Sequence, residues 1–138
     1  MVSLLRTCDV VRRRLSGVIE PGGLTLQQYN VLRILRGAGP EGLPTLEIAG
    51  RMLERAPGIT RLLARLERKE LISRRRSRHD QRQVVCRVTR RGLALLSGLE
   101  GPLAAADTTS LGELGRDEVE QLILLLDGVR REAGPDPG

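Results

Sequence analysis

The sequence predicts a mainly α-helical fold with one small β-hairpin. Three observations predict it. Apolar residues recur at helical spacing along most of the chain. Between Leu71 and Thr89 two short alternating runs flank a polar loop that holds Arg78, His79, Asp80 and Arg82. Just ahead of that hairpin, Ile59 to Lys69 reads as an amphipathic helix with arginines on one face and aliphatics on the other.

The elements follow in chain order. Residues 3–19 place Leu4, Cys8, Val11, Leu15 and Val18 on one stripe of coiled-coil spacing. Pro21-Gly22-Gly23 ends that helix. Thr25 is the expected N-cap of a second helix, with Gln28 completing a capping box and Leu26, Tyr29, Leu32 and Leu35 turned inward. Residues 37–44 read as a loop by composition. Thr45 is expected to cap a short helix over 46–54 that buries Ile48, Ala49 and Met52. Pro57 fits the first turn of the next helix, where its missing N–H is no loss. In that helix Ile59, Leu62, Leu63 and Leu66 form the core stripe, and Arg61, Arg65 and Arg68 fall roughly opposite.

After the hairpin, a helix opens at Thr89 and runs through Leu93, Leu96 and Leu99, with Gly101-Pro102 expected to bend or interrupt it. Residues 107–115 read as a loop. Gly115 caps a last helix with Glu118 at its third position. Val119, Leu122, Ile123, Leu126 and Val129 form one stripe, widened by Leu124 and Leu125. A terminal helix this apolar needs a partner. The stripe of residues 3–19 supplies it, within one chain or across a dimer. Helix, short turn, helix, hairpin is the order of a winged helix-turn-helix.

The charge is as uneven as the apolar pattern. Of the net +6, residues 51–91 carry +10, residues 1–50 carry +2 and residues 92–138 carry −6. A basic patch of this kind is the footprint of polyanion binding. Lys69 is the only lysine. Codon usage in a GC-rich genome accounts for most of the Arg-for-Lys choice, though not for the clustering. With 138 residues, no Trp or Phe and one Tyr, the chain is one domain, or one domain plus a dimerisation element, around an aliphatic core. There is no secretory segment and no apolar run long enough to span a bilayer, so a soluble cytoplasmic protein is expected, with no membrane partner. Cys8 and Cys86 are far apart, without metal-ligand spacing, and are expected as free thiols. No clustered nucleophile and base and no P-loop appear, so no enzyme, metal or cofactor is expected.

The chain resembles the MarR (multiple antibiotic resistance regulator) family of bacterial transcription regulators. The resemblance runs from LTLQQYNVLRIL through VTRRGLALL. Its most specific piece is ITRLLARLERKELISRRRSRHDQRQVVCRVTRRG. This carries a recognition helix, a wing with Asp80-Gln81-Arg82, and the Thr89-to-Gly92 pattern that opens the next helix. The resemblance implies a homodimer whose N- and C-terminal helices interlock and whose two winged domains reach double-stranded DNA with an inverted repeat. The expected layout is dimerisation helices at 1–22 and 107–132, a DNA-binding domain with its following long helix at 24–106, and a disordered tail at 133–138. One position departs from the family. Glu70 stands where the family usually has Gly. A left-handed backbone there costs a non-Gly residue about 1 kcal/mol, so a slightly different helix end is expected.

The resemblance also implies roles. Gly58 and Thr60 lie at the helix N-terminus, which favours phosphate, and Arg61 and Arg65 face DNA. Arg82 enters the minor groove. Asp80 braces Arg82, or the wing turn, by an ion pair. Arg74, Arg76 and Arg78 are phosphate partners; strand alternation sends Arg75 to the opposite face. His79 is either a phosphate contact or a solvated tip. Val84, Cys86 and Val88 face the core. Leu4, Val11, Leu15, Val119, Leu122, Ile123 and Leu126 form the dimer interface. Tyr29 and Arg33 line the pocket of a small-molecule effector. Cys8 reads as a small buried hydrophobe, and a redox switch is its alternative. The function implied is a repressor released by a small ligand or chemical stress. The rivals are an architectural DNA binder with little sequence preference and a protein-interaction module.

Overall fold

In the computed structural model residues 1–53 and 57–132 are described. Helix α1, Val2–Ile19, passes into a 3₁₀ turn at Glu20–Gly22. Gly23 closes that turn at φ 81°, a conformation only glycine adopts without strain. Helix α2, Leu26–Ala38, starts with the expected capping box: Gln28 N–H donates to Thr25 Oγ1 at 3.2 Å and Thr25 N–H to Gln28 Oε1 at 3.1 Å. Its inward face buries Val31, Leu32 and Leu35.

The loop expected over 37–44 is corrected. Helix α2 holds to Ala38, a 3₁₀ turn covers Gly39–Glu41, and strand β1, Leu43–Pro44, follows. Two residues carry no periodicity to read, so only the pairing partner reveals β1. Gly42 makes that pairing reachable: at φ 71° its Cα lies where a Cβ would collide with the Cys86 carbonyl.

Helix α3 is Thr45–Arg51. Thr45 is its first residue, with Pro44 at the N-cap, so the expected Thr45 cap is not formed. The predicted end at 54 lies outside the described residues. Ile48 is fully buried, Ala49 and Met52 only partly. Helix α4, Ile59–Arg68, has Gly58 at its N-cap. Pro57 thus sits in the preceding turn and not in the first helical turn. The α3–α4 connection is held from below. Asn30, only 7% exposed, accepts the Leu53 N–H on its Oδ1 at 2.9 Å.

Strands β2, Ile72–Arg76, and β3, Val84–Val88, form the hairpin, and the sheet order is β1-β3-β2, all antiparallel. The register pairs Ile72 with Val88, Arg74 with Cys86 and Arg76 with Val84. Helix α5, Arg90–Leu111, runs through Gly101-Pro102 without a break. Proline removes one backbone hydrogen bond, but Leu99 and Leu103 on either side are buried and hold the helix to the core. The loop expected over 107–115 is therefore shorter, because 107–111 are helical. Helix α6, Arg116–Glu132, begins as predicted, with the Gly115 N–H on Glu118 Oε2 at 2.7 Å. The tail 133–138 lies outside the described residues. None of the described helices is long and apolar enough to cross a membrane.

The core is aliphatic. Ile19, Leu32, Leu35, Ile48, Leu63, Leu66, Ile72 and Leu96 meet at its centre. The terminal helices stand largely outside it. Leu15 and Val18 pack on the core, while Val2, Leu5 and Val11 are exposed. Helix α6 buries no described side chain, and Ile123, Leu124 and Leu125 are 51%, 67% and 62% exposed. Cys8, expected as a buried hydrophobe, is exposed on this chain. Cys86 is buried, and desolvation pushes its thiol up, against the opposing pull of the Thr45 hydroxyl and Arg74.

Two measurements test this packing. Asn30→Ala leaves the Leu53 N–H without its acceptor and lowers unfolding free energy in urea by about 1–3 kcal/mol. The thiolate is the reactive form of cysteine, so Cys86 resists iodoacetamide at neutral pH in the native protein and is labelled once the chain is unfolded, as peptide mapping would report.

Candidate nucleic-acid interface

Helix α4 divides cleanly. Leu62, Leu63 and Leu66 are buried, while Thr60, Arg61, Arg65 and Arg68 are exposed along the opposite side. At the helix N-terminus, Pro57, Gly58, Thr60, Arg61 and Ala64 line an open cleft. First-turn N–H groups have no intrahelical acceptor, so this end presents donors beside the Arg61 guanidinium.

The other end of α4 is fixed by its backbone. Glu70 has φ 59°, the only positive value among the described non-glycine residues. The altered helix end expected from this Gly-to-Glu departure is not found. The Leu71 N–H reaches Leu66 O at 3.0 Å and the Glu70 N–H reaches Glu67 O at 2.8 Å, a complete Schellman closure. The start of α5 clasps the same turn. Thr89 donates its hydroxyl to Glu70 O at 2.7 Å and its N–H to Leu71 O at 3.0 Å. Thr89 Oγ1 in turn accepts the Gly92 N–H at 3.1 Å. Gly92 presses so closely on Leu71 O that a Cβ would collide with it. Arg91 Nη1 lies 2.7 Å from Glu70 Oε2. The Thr89-to-Gly92 pattern is thus a fastening between recognition helix, hairpin and α5.

A second fastening was not legible in the sequence. Glu67 on α4 accepts the Arg74 N–H at 3.2 Å on one oxygen, and the Arg74 guanidinium at 2.8 and 2.7 Å on the other. Arg74 pairs across the sheet with buried Cys86 and so lies on the inner side of β2. Its guanidinium is engaged by Glu67, where a phosphate contact was expected. Arg75 and Arg76 are exposed. Val84, expected in the core, is 36% exposed at the tip end of the hairpin, beside the loop.

The wing tip is a hydrogen-bonded turn. Ser77 Oγ accepts the N–H groups of His79 and Asp80, and the Gln83 N–H reaches Asp80 O at 3.0 Å. Asp80 Oδ1 accepts the Arg82 N–H at 3.0 Å. Asp80 therefore braces the turn through the backbone, and the expected ion pair to the Arg82 side chain is replaced by this bond. Among the described residues the guanidinium groups of Arg78 and Arg82 have no hydrogen-bond or ion-pair partner. Two unneutralised cations are thus held on a hydrogen-bonded, exposed tip. Sequence gives no sign of this role for Ser77, since a serine in a polar loop has no pattern until its acceptor role is seen.

The residues expected to line an effector pocket, Tyr29 and Arg33, are adjacent, with the guanidinium carbon 5.9 Å from the ring centroid. Neither lines the cleft at Gly58, nor a second open cleft between the start of α2 and the end of α4.

Comparison with known proteins agrees with this architecture. A family model described as the MarR family matches residues 24–84. The HTH-type transcriptional repressor Rv2887 of Mycobacterium tuberculosis is 31% identical over 111 residues, covering 80% of this chain and 78% of that protein. The crystal structure of a MarR transcription factor from Planctomyces limnophilus is 40% identical with a TM-score of 0.72, and the match covers 91% of each chain. The MepR–DNA complex of S. aureus superposes with a TM-score of 0.83 at 25% identity, over 96% of this chain and 97% of that one. From the helix-turn-helix held by Asn30 to the wing clasped at Thr89, the chain belongs to the MarR family of transcription regulators.

Proposed function

We propose that the protein is a homodimeric, sequence-specific DNA-binding regulator of the cytoplasm, acting as a repressor that a small ligand or chemical stress releases. The observation that carries this reading is the pair of unpartnered arginines on the braced wing, held in fixed relation to the arginine face of α4. Arg61 and Arg65 enter the major groove and meet base edges and phosphate. The backbone donors near Gly58 and Thr60 take a phosphate. Arg76 and Arg78 anchor to the backbone, and Arg82 inserts into the minor groove. Arg74 is a positioning residue that sets the wing through Glu67.

The open apolar faces of α1 and α6 cover one another in the dimer, with Leu4, Val11, Ile123 and Leu126 among the covered residues. Two recognition helices then stand roughly one DNA turn apart, about 34–36 Å, to meet an inverted repeat. A ligand near Tyr29 and Arg33 that shifts the dimer helices changes that spacing. The named relatives support the reading: one is a repressor, and MepR is seen bound to DNA.

Arg82→Ala weakens operator binding by about 1–3 kcal/mol, which is roughly five- to 150-fold, with the melting temperature unchanged. A fixed-salt titration with a footprinted fragment from the protein's own upstream region measures this. The same footprint separates the reading from an architectural binder, which protects no inverted repeat. Ile123 is exposed on the chain, so Ile123→Asp spares the protomer fold and yields monomers by light scattering, with loss of operator binding.

A further inference from the structure

The second open cleft lies between the N-terminus of α2 and the C-terminal half of α4, lined by Thr25, Gln28, Arg65, Arg68 and Lys69, with Glu20 at its edge. Three cations face one carboxylate there. We propose that this cleft is an oxyanion site that holds one phosphate group.

Gln28 is the reason. It is only 4% exposed. Its Oε1 accepts the Thr25 N–H at 3.1 Å and Lys69 Nζ at 3.4 Å, which fixes the amide orientation, since both partners are donors. Its Nε2 donates to no described residue. No fully enclosed side-chain polar atom among the described residues lacks a partner, so this nitrogen is open to solvent, and Gln28 lines the cleft. Its donor is therefore left for solvent or a ligand.

The surroundings complete the cradle. Lys69 Nζ is pinned to Gly23 O at 2.6 Å, which places its remaining proton beside the same space. The capping box leaves the Leu26 and Gln27 N–H groups without intrahelical acceptors, at the positive end of a 13-residue helix. Arg65 and Arg68 supply guanidinium forks suited to phosphate. Arg65 also belongs to the proposed DNA face. Resting on that reading, the phosphate is one of the duplex backbone flanking the groove; a free phosphate is the other source of the same chemistry.

Gln28→Glu tests the site. Glutamate serves the capping box equally well and keeps the Lys69 contact, so the fold is retained. It also replaces the free donor with an anionic oxygen. Inorganic phosphate titrated into the free protein is expected to shift the Gln28 side-chain amide resonance saturably in wild type. In Gln28→Glu the shifts of neighbouring backbone amides vanish. The slope of log affinity for duplex DNA against log salt is expected to shrink by about one unit. Arg68→Gln, an exposed change outside the core, repeats both readouts should Gln28→Glu fail to fold.

A reduced salt slope, with or without the titration, assigns a backbone phosphate. Loss of the titration with an unchanged slope assigns a free phosphate. If neither readout differs between wild type and the variant, the proposal is overturned. Should the wild type bind no duplex, the DNA reading fails separately, and the phosphate titration alone decides the cleft.

Discussion

The left-handed turn at Glu70 is the constraint on which the rest of the site depends. It ends the recognition helix, starts β2 and receives the first residues of α5, so three elements take their direction from one backbone bond. The strain of a non-glycine residue there is about 1 kcal/mol. The Glu70–Arg91 pair, with side chains 76% and 67% exposed, offsets at most a similar amount, since exposed pairs contribute roughly 0–1 kcal/mol. The ion pair therefore does no more than cancel the strain. What holds the turn is the Schellman closure, the two hydrogen bonds from Thr89 and the close seat of Gly92 on Leu71 O.

That arrangement divides an arginine-rich stretch into two kinds of cation. Glu67 and Glu70 each capture an arginine, Arg74 and Arg91, and turn it into a fastening between elements. Arg78 and Arg82 find no such carboxylate. Asp80 accepts the Arg82 backbone N–H on Oδ1 and forms no ion pair with either guanidinium. A carboxylate beside an arginine in sequence thus says little about which arginine it neutralises. Geometry decides, and here it keeps the cations at the tip free.

This sets what a reader of the sequence alone could see. Periodic helices and the Thr25–Gln28 capping box were legible because each depends on neighbours within one turn of chain, and the Thr89-to-Gly92 pattern was legible through the family resemblance. Strand β1, two residues long, was not, because its identity lies in pairing with β3. The pairing of Arg74 with Glu67 was not, because the two meet only after the chain reverses at Glu70. The exposure of Val84 was not, because alternation assigns a face but not how far the core extends beneath it. The continuation of α5 past Pro102 overrode a local rule through the burial of Leu99 and Leu103.

Helix α5 links the two halves of the molecule physically. Its 22 residues span about 33 Å at 1.5 Å per residue. One end is bolted to the recognition helix through Thr89 and Gly92. The other passes Arg14, whose Nη1 meets Ser110 Oγ at 3.0 Å, and lies beside α1. Between them Glu100 holds Arg36 of α2 at 2.7 Å. The clasp at Glu70 ties the start of α5 to the end of the recognition helix through the Thr89 hydrogen bonds and the close seat of Gly92. Leu96, Leu99 and Leu103 hold the middle of α5 in the core, and the polar contacts to Arg36 and Arg14 are exposed and correspondingly weak. On the proposed reading, a displacement of the terminal helices tilts α5 about its buried middle. It reaches the DNA face as a change in recognition-helix position, with the site itself undistorted.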